Sequence, residues 1–454
     1  MRKKVWLFVL LFACLCTLVF AGGQKEGAGK PATVMFWSKE GDPPSVDVYN
    51  SIIAEFQSAN PQIKVDMQIV NEIDDKVKAM VAAGGKIDIF QPNVYTSNAL
   101  MFEGLLLPLT DVFDELGGTK EFIHKDYLLD KNGKPVTIPY ATGGWVWWIR
   151  KDLLSQTGTP LPNTKRGWTW DESLQAAAKL NSSSHSGVGL PASTGDVTYF
   201  MFEMAAWCNG IDAFDANLNP QLDHPRNIEA LEYYTAMLKY APADVVEWSW
   251  FNMVDAFTSG RVAMTNYAGR ILGRIYTEKP ELKGKAMVIQ LPYNKNFTTA
   301  CVQDINTNAV YAKTEYPEQA KAFLKFMHKP ENAAKFLATV PGHLLPNTPA
   351  EQKALMAMNI PALVENPEIM DVIFDAANHA FDPASMVGGL DFANKKIVNT
   401  GKLNPYLIAI GDGEIIGTAV QKVHLQGVAP AVALAEAQKE FVARVEDIKK
   451  EQSK

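Results

Sequence analysis

The sequence has little cysteine for its length. Four cysteines occur in 454 residues, and two of them, Cys14 and Cys16, lie in an apolar stretch at the start. Only Cys208 and Cys301 remain in the rest of the chain. Two cysteines do not form a disulfide framework, so burial of apolar side chains must hold the fold together. This length allows two domains of ordinary size.

The sequence also lacks any block of positive charge. It has 43 Lys and Arg against 50 Asp and Glu, which gives a formal net charge of −7. An acidic chain without a Lys/Arg block argues against nucleic acid or an anionic membrane as a partner. Internal repeats and low-complexity blocks are absent as well, which excludes a solenoid or a disordered scaffold.

Long apolar runs are missing except at the beginning. Residues 5–20 are almost wholly apolar, residues 2–4 are basic, and Ala21 precedes Gly22. This order predicts a secretory signal peptide over residues 1–21. A membrane anchor is the alternative, but the run is shorter than the ~20 residues that a spanning helix needs.

A second alternative is a lipoprotein, because residues 11–14 form a loose lipobox that ends at Cys14. Cleavage there would leave the apolar run to Phe20 on the mature chain, so a lipid-anchored form is the minor interpretation. Residues 22–30 are polar and rich in glycine, which predicts a flexible tether.

Catalytic and metal-binding motifs are also missing from the sequence. The seven histidines show no tight pairing of the kind found in zinc sites. There is no Gly-x-Ser-x-Gly elbow and no phosphate-binding Gly-x-x-x-x-Gly-Lys loop. We therefore expect no metal, no cofactor and no catalysis. A glycoside hydrolase stays open as an alternative, since it needs only two carboxylates across a cleft.

The first ordered segment alternates strand and helix patterns. Residues 34–37 read as a buried strand, 49–56 as an amphipathic helix, 63–69 as an alternating strand and 87–90 as a further strand. This pattern predicts a parallel α/β sheet, and ligands bind beyond the carboxyl ends of such strands. The predicted ligand-facing residues after the first and last of these strands are Trp37, Ser38, Glu40 and Asn93.

Apart from Trp6, every tryptophan lies between Trp37 and Trp250. Most buried indoles belong to a core, but aromatic clefts with scattered polar groups also suit sugars, whose C–H faces pack on rings and whose hydroxyls need hydrogen bonds. Trp145 and Trp147 share one face of a predicted strand. The candidate binding residues from these aromatic segments are Tyr140, Trp145, Trp207, Asn209, Trp248 and Trp250.

Several ordered motifs resemble one family. They include FWSKEGD at 36–42, EFQSANPQIKV at 55–65, GLLLPLTD at 104–111 and IPYATGGWVWWIRKDLL at 138–154. The later segments at 168–180, 209–237, 256–270 and 316–349 agree in order and spacing. The sequence resembles family 1 extracellular solute-binding proteins, the maltose-binding-protein type.

The resemblance implies an α/β, two-lobed periplasmic-binding-protein fold, with parallel-type sheets flanked by helices and a ligand cleft between the lobes. One lobe would comprise residues 31–141 plus 299–340, and the other 142–298 plus 342–454. The chain would cross near 142–144, 292–298 and Gly342. Cys208 and Cys301 would then lie in different lobes without a disulfide.

The resemblance also implies Tyr267 and Arg270 as cleft residues, with one departure from the family. Where the family often has a tryptophan that stacks on the ligand, this sequence has Arg270. Arginine can stack through its guanidinium, pair with a solute carboxylate or form an ordinary ion pair. Neutral and acidic sugars therefore both remain open.

The resulting function is the extracytoplasmic substrate-binding component of an ABC importer. It would capture a sugar or oligosaccharide between the lobes and deliver it to membrane permease subunits. We expect a monomer. A sensor role is the remaining alternative besides the hydrolase.

Overall fold

The computed structural model describes residues 31–123, 125, 129–378 and 380–452. The predicted signal peptide (1–21) and tether (22–30) lie outside the described residues. Within the described part, no helix is long and apolar enough to cross a membrane.

The structure combines short strands with many helices. The strands are β1 (Ala32–Ser38), β2 (Ile63–Ile69), β3 (Ile89–Phe90), β4 (Thr137–Gly143), β5 (Val146–Arg150), β6 (Met264–Tyr267), β7 (Ala286–Ile289), β8 (Asp304–Val310), β9 (Leu390–Asp391) and β10 (Lys396–Ile397). The helices are α1 (Pro43–Ala59), α2 (Ile73–Ala82), α3 (Val94–Phe102), α4 (Thr110–Glu115), α5 (Lys151–Gln156), α6 (Trp170–Leu180), α7 (Asp196–Trp207), α8 (Pro225–Leu238), α9 (Trp250–Thr258), α10 (Arg270–Thr277), α11 (Pro317–Met327), α12 (Pro330–Leu337), α13 (Pro349–Ala357), α14 (Pro361–Val364), α15 (Pro367–Asn378), α16 (Glu414–Gln426) and α17 (Pro430–Gln452).

The predicted strand–helix order near the start is confirmed. In α1 the residues at helical spacing, Tyr49, Ile52, Ile53 and Phe56, are buried, and Pro43 opens the helix. In β2, Ile63 and Val65 are buried while the lysine between them is exposed, as a period of two requires. The third strand, β3, is shorter than predicted, because it spans Ile89–Phe90 and not residues 87–90.

The first sheet has five strands in the order β2-β1-β3-β8-β4. β1 pairs in parallel with β2 and with β3, whereas β8 runs antiparallel to both β3 and β4. β4 therefore points the same way as β1 and β3. The carboxyl ends of these three strands meet at one edge, and Asp304 at the start of β8 faces Gly143 there.

The second sheet has the order β6-β5-β7, and both of its pairings are antiparallel. The parallel arrangement expected from sequence thus holds for β2-β1-β3 only. β5 carries the chain away from the first sheet, and β7 carries it back towards β8. The adjacent strands β5 and β7 therefore run in opposite directions. A separate hairpin joins β9 and β10.

Two chain segments connect the two sheets, and a third segment, which we call the third crossing segment, runs beside the first of them at residues 341–345. The chain leaves the first sheet between β4 and β5 and returns between β7 and β8. The third crossing segment is held there by Leu345, which exchanges backbone hydrogen bonds of 3.0 and 2.8 Å with Thr142. Gly144 is needed for close packing and not for an unusual φ, since a Cβ there would lie 2.0 Å from the carbonyl oxygen of Ile373 in α15.

The helices of the last third pack as their periodicity predicts. Ala320, Phe323, Leu324 and Met327 form the buried face of α11. In α17 the buried residues include Leu434, Ala437, Phe441 and Val445. These faces join the main hydrophobic core.

Candidate functional site

The carboxyl end of β1 begins the candidate site. Ser38 is fully buried, donates its hydroxyl to Gln91 Oε1 over 2.8 Å and accepts the backbone N–H of Glu40 over 3.1 Å. Tyr140 in β4 donates its hydroxyl to Glu40 Oε1 over 2.8 Å. Burial, with Glu40 nearby, raises the pKa of Tyr140 well above its usual value, so its hydroxyl stays a donor. These contacts fix the Glu40 carboxylate at the edge between the two sheets.

Trp145 is the centre of an aromatic cluster on the second sheet. Its ring centroid lies 5.1 Å from Tyr267, 4.9 Å from Phe200 and 5.9 Å from Trp250. Phe200 and Trp250 are 5.2 Å apart. The angles between these rings range from 49° to 75°, as tilted and edge-to-face contacts require. We call Trp145, Phe200, Trp250 and Tyr267 the aromatic wall.

Asp304 connects this wall to the first sheet. Trp145 Nε1 donates to Asp304 Oδ2 over 2.9 Å. Burial raises the pKa of Asp304, and the hydrogen bond from Trp145 and the charge of Lys39 oppose the shift. The partner of the indole is thus a partly buried carboxyl group at the start of β8.

Arg270 and Asp42 form an ion pair between the two sheets. Arg270 begins α10 after β6, Asp42 lies just beyond β1, and the guanidinium Nη1 donates to Asp42 Oδ2. The Arg270 side chain is only 13 % exposed, and its Cζ lies 5.3 Å from the centre of the Phe251 ring. Burial alone would lower the pKa of Arg270, but Tyr267, Asp42 and Glu40 raise it overall. Arg270 therefore remains a cation whose charge Asp42 balances.

His343 comes from the third crossing segment and lies against the wall. Its ring is stacked on Tyr267 with centroids 6.0 Å apart. Burial, followed by the nearby charges of Arg270 and Lys39, lowers the pKa of His343 well below its usual value, so the ring is neutral at pH 7. Among the residues that the structure describes, neither His343 Nδ1 nor Arg270 Nε has a hydrogen-bond partner, although both atoms are buried.

A second contact joins the sheets further along. Tyr95 in α3 donates its hydroxyl to Glu203 Oε2 over 2.7 Å, and Tyr199, one turn before Glu203 in α7, donates to the other oxygen. Burial raises the pKa of Glu203 well above its usual value. This buried cluster holds α3 against α7.

Several predicted residues do not join the wall or the ion pair. Trp37 is buried in a smaller core with Val70 and Phe90. Asn93 caps α3 by accepting the N–H of Thr96 over 2.8 Å. Both residues follow their strands as expected, but their side chains serve the fold.

The pair Trp207 and Asn209 lies inside the second sheet's core. Trp207 is fully buried and donates to Asp212 Oδ1 over 3.0 Å. Asn209 donates to Glu229 Oε2 over 3.0 Å and to a backbone carbonyl. Their internal partners already satisfy these donors.

Trp248 and Trp250, both candidate binding residues from the sequence, lie on either side of a helix start. Trp250 opens α9 and joins the aromatic wall, whereas Trp248 is buried with Arg261 5.8 Å from its ring centre. Trp248 precedes the helix and packs elsewhere, so the two indoles do not form one surface.

The structure therefore brings together six predicted residues: Glu40, Tyr140, Trp145, Trp250, Tyr267 and Arg270. Ser38 supports Glu40 from beneath. Sequence reasoning missed Asp42, Phe200, Asp304 and His343. Asp42 and His343 stand inside motifs that had been recognised, so the missing information was which residues face the cleft.

A cavity of about 660 Å³ lies on the α15 side of the crossing segments. Its lining includes Gln290, Thr299, Gln303 and Asp375, but none of the predicted site residues. In the short segment between β4 and β5, Gly144 packs against α15, while the ring of Trp145 joins the wall. The cavity and the wall are therefore separate features.

Comparison with known proteins identifies the family. A family model for bacterial extracellular solute-binding proteins matches residues 42–334. The chain belongs to this family. The resemblance seen in the motifs is thereby confirmed, and the fold is the two-lobed fold of periplasmic binding proteins.

Individual relatives agree with this assignment. A putative ABC transporter periplasmic-binding protein, YcjN of Escherichia coli (strain K12), is 26 % identical over 353 residues, which cover 74 % of this chain and 78 % of that protein.

Solved structures of low identity share the fold. Maltose-bound MalE3 of T. maritima has a TM-score of 0.73 and 18 % identity, covering 90 % of this chain and 99 % of that one. A solute-binding protein of Thermotoga lettingae TMO bound with α-D-tagatose has a TM-score of 0.73 and 19 % identity, covering 92 % and 100 %. These structures show the shared fold, and the family match shows that the protein is an extracellular solute-binding protein.

The remaining candidate chemistry is limited. Among the described residues, no group of three or more His, Cys, Asp or Glu is placed to hold a metal ion. Cys208 and Cys301 are both buried and free, and burial raises the pKa of each thiol to about 12.

Proposed function

We propose that this solute-binding protein captures a sugar or a related polyol between its lobes and delivers it to ABC permease subunits. One observation carries the proposal: the aromatic wall stands next to polar groups from both sheets, among them Glu40 and Arg270. Flat rings suit the C–H faces of a sugar, and its hydroxyls need nearby donors and acceptors.

The lobes would divide as residues 31–141 plus 299–340 and residues 142–298 plus 342–454. This division keeps most of the five-stranded sheet in one lobe and the three-stranded sheet in the other. The crossing segments would act as hinges, because closure around a solute needs only a few backbone angles to change. Asp42–Arg270 and Tyr95–Glu203 would then be contacts of the closed form.

Within this proposal the solute is uncharged. Arg270 is the cation that lies against the wall, and Asp42 already balances its charge. A solute carboxylate would have to displace Asp42 or remain close to Glu40. An acidic sugar is accordingly the weaker of the two candidates.

We further propose that the protein performs no chemistry on the solute. A glycoside hydrolase needs two available carboxyl groups across the cleft. Here Glu40 accepts from Tyr140, Asp42 is paired with Arg270 and Asp304 accepts from Trp145. Product analysis after prolonged incubation with a binding sugar tests this point, and free monosaccharide released from it would contradict it.

The protein would act outside the cytoplasm as a monomer. Residues 1–21 would direct export, with a lipid-anchored form through Cys14 as the alternative. Mass spectrometry of the protein from its host distinguishes the two, since an N-terminus at Gly22 and a diacylated Cys14 differ by a large and defined mass.

The decisive experiment for the solute is a melting-shift panel with maltose, D-tagatose, D-mannitol, D-glucuronate and amino acids. Binding to the native state alone stabilises it by about 2.7 kcal/mol at a hundredfold excess over Kd. A shift with neutral sugars or polyols supports the proposal. A flat response to all of them, or a shift with an amino acid only, contradicts it.

A further inference from the structure

The site contains two buried polar atoms without partners among the described residues, one on each of two neighbouring side chains. Arg270 Nε and His343 Nδ1 lack hydrogen bonds among the described residues, and buried polar groups are nearly always paired. Their partners must therefore come from outside the described side chains, either from a solute or from water that the solute displaces.

The two residues are neighbours through the backbone and through Tyr267. The Gly269 Cα lies so close to the third crossing segment that a Cβ there would be 1.7 Å from the Gly342 oxygen and 2.8 Å from the His343 nitrogen. Tyr267 stacks on the His343 ring. Arg270 and His343 thus approach the wall from adjoining backbone segments of the site.

The guanidinium is held so that its Nε stays available. Asp42 takes Nη1, and Phe251 lies 5.3 Å from Cζ. A guanidinium is planar and rigid, so fixing one terminal nitrogen and one face also fixes the direction of the Nε–H bond. Asp42 is therefore a positioning residue for Arg270.

The hydrogen-bonding character of the pair indicates the group it would take. Arg270 Nε–H can only donate, and a neutral imidazole protonated on Nε2 accepts at Nδ1. A hydroxyl accepts one hydrogen bond and donates another, which satisfies both atoms. With His343 in this tautomer, a carboxylate, which can only accept, would leave Nδ1 unpaired, and its charge would meet an arginine that Asp42 has already neutralised.

We propose that Arg270 and His343 together bind one hydroxyl group of the solute and thereby select uncharged polyhydroxylated solutes over the corresponding carboxylates. This inference rests on the proposed function and goes beyond it, because it assigns the selection to two named residues. It also gives Arg270 a different role from a stacking side chain at the same position.

The test compares Kd values by isothermal titration for the wild type, Arg270→Lys and His343→Phe, with maltose, D-tagatose and D-mannitol as probes. Arg270→Lys keeps a cation for Asp42 but removes the Nε–H. His343→Phe keeps a ring against Tyr267 but removes Nδ1. Each change is expected to weaken binding about tenfold, which is the typical effect of leaving a buried hydrogen bond unmade.

Arg261→Lys is the matched control. Arg261 also pairs with a carboxylate, Asp244, and lies over an aromatic ring, that of Trp248, but away from the aromatic wall. Its replacement should leave Kd within about twofold of the wild type. His343 lies outside the ion pair, so His343→Phe still tests the inference if Arg270→Lys does not fold, as circular dichroism will tell.

The outcomes separate the inference from the function on which it rests. If the wild type binds a probe and both site variants bind it equally well, the inference is overturned and the proposed function stands. If the wild type binds none of the three probes, both are overturned. Wild-type preference for D-glucuronate over the neutral probes would also overturn the inference.

Discussion

Trp145 donates its indole N–H to Asp304 over 2.9 Å, and this one hydrogen bond ties the first crossing segment to the second. Trp145 lies at the entry to β5 and Asp304 at the start of β8. The same indole is the centre of the aromatic wall. The position of the proposed sugar-binding surface is therefore set by the segments that connect the lobes.

Replacing Trp145 with phenylalanine tests this relationship. The ring contacts largely remain, but the partly buried Asp304 loses one of its donors, so we expect the free energy of unfolding to fall by about 1 kcal/mol beyond the effect of ring size. Urea unfolding measures the change.

Trp147→Phe is the control for ring size. Trp147 is on the same face of β5 and is equally buried, at 4 % exposure against 3 % for Trp145, but its Nε1 has no partner among the described residues. Equal losses in the two variants would mean that the Trp145–Asp304 hydrogen bond contributes nothing measurable.

Asp42→Asn should change selectivity. The substitution keeps the size of the side chain but removes the negative charge that balances Arg270. An unbalanced buried cation attracts anions, so the ratio of Kd for D-glucuronate to Kd for a neutral sugar is expected to fall by about tenfold, corresponding to ~1.4 kcal/mol. Titration at low and high salt measures it.

The substitution removes no hydrogen bond that caps α1, because the Asp42 side chain makes none. An unchanged ratio together with normal binding of the neutral sugar would show that the Asp42 charge does not act on the solute.

Tyr95→Phe should favour the open form. Tyr95 and Glu203 join α3 to α7, and removal of the hydroxyl leaves a buried carboxyl group with one donor fewer. We expect a larger radius of gyration by small-angle X-ray scattering and weaker solute binding, since the binding-competent population falls.

Tyr234→Phe is the matched control, because its buried hydroxyl donates to Pro191 O over 2.7 Å within the second lobe of the proposed division. It should lower the melting temperature without changing the radius. A radius that grows in neither variant would contradict a role for Tyr95 in closure.

Glu351→Gln should flatten the pH dependence of stability. Burial raises the pKa of Glu351 to about 7, although hydrogen bonds from Asn347 and Thr348 oppose the shift. Because the folded pKa lies above the unfolded value, the folded state holds the proton more tightly. The free energy of unfolding therefore falls as pH rises from about 4.5 to about 7, by roughly 3 kcal/mol from this group.

The measurement is urea unfolding at pH 5 and pH 8. Buried Asp212 and Asp382, whose pKa values burial raises to about 6, contribute in the same range, so the comparison of variant with wild type is what isolates Glu351. Glu436→Gln is the control: Lys422 lowers the pKa of that exposed carboxyl group. If the free energy of unfolding falls equally between pH 5 and pH 8 in the wild type and in Glu351→Gln, Glu351 is not the source of the pH dependence.

Much of the fold could be predicted from local patterns. The periodicity of α1, β2, α11 and α17 reported which face of each element is buried, and the structure agrees. The antiparallel second sheet could not be predicted in this way. Periodicity carries no information on strand direction, which follows from how the chain returns to the first sheet.

The site was predicted only in part, for a related reason. Trp207 and Trp145 look alike in sequence and are both buried, yet Trp207 donates to Asp212, five residues away, whereas Trp145 donates to Asp304, far away in the chain. Burial and the nearest partner of an aromatic residue depend on elements far away in the chain.

The sequence by itself determined the family and the alternation of strands and helices, because each depends on neighbouring residues and motif order. Only the tertiary structure decided that Arg270 meets Asp42, 228 residues earlier, and that His343 lies against Tyr267. Such pairs form when folding places segments that are far apart in the sequence next to each other. The spacing of neighbouring residues carries no information about these contacts.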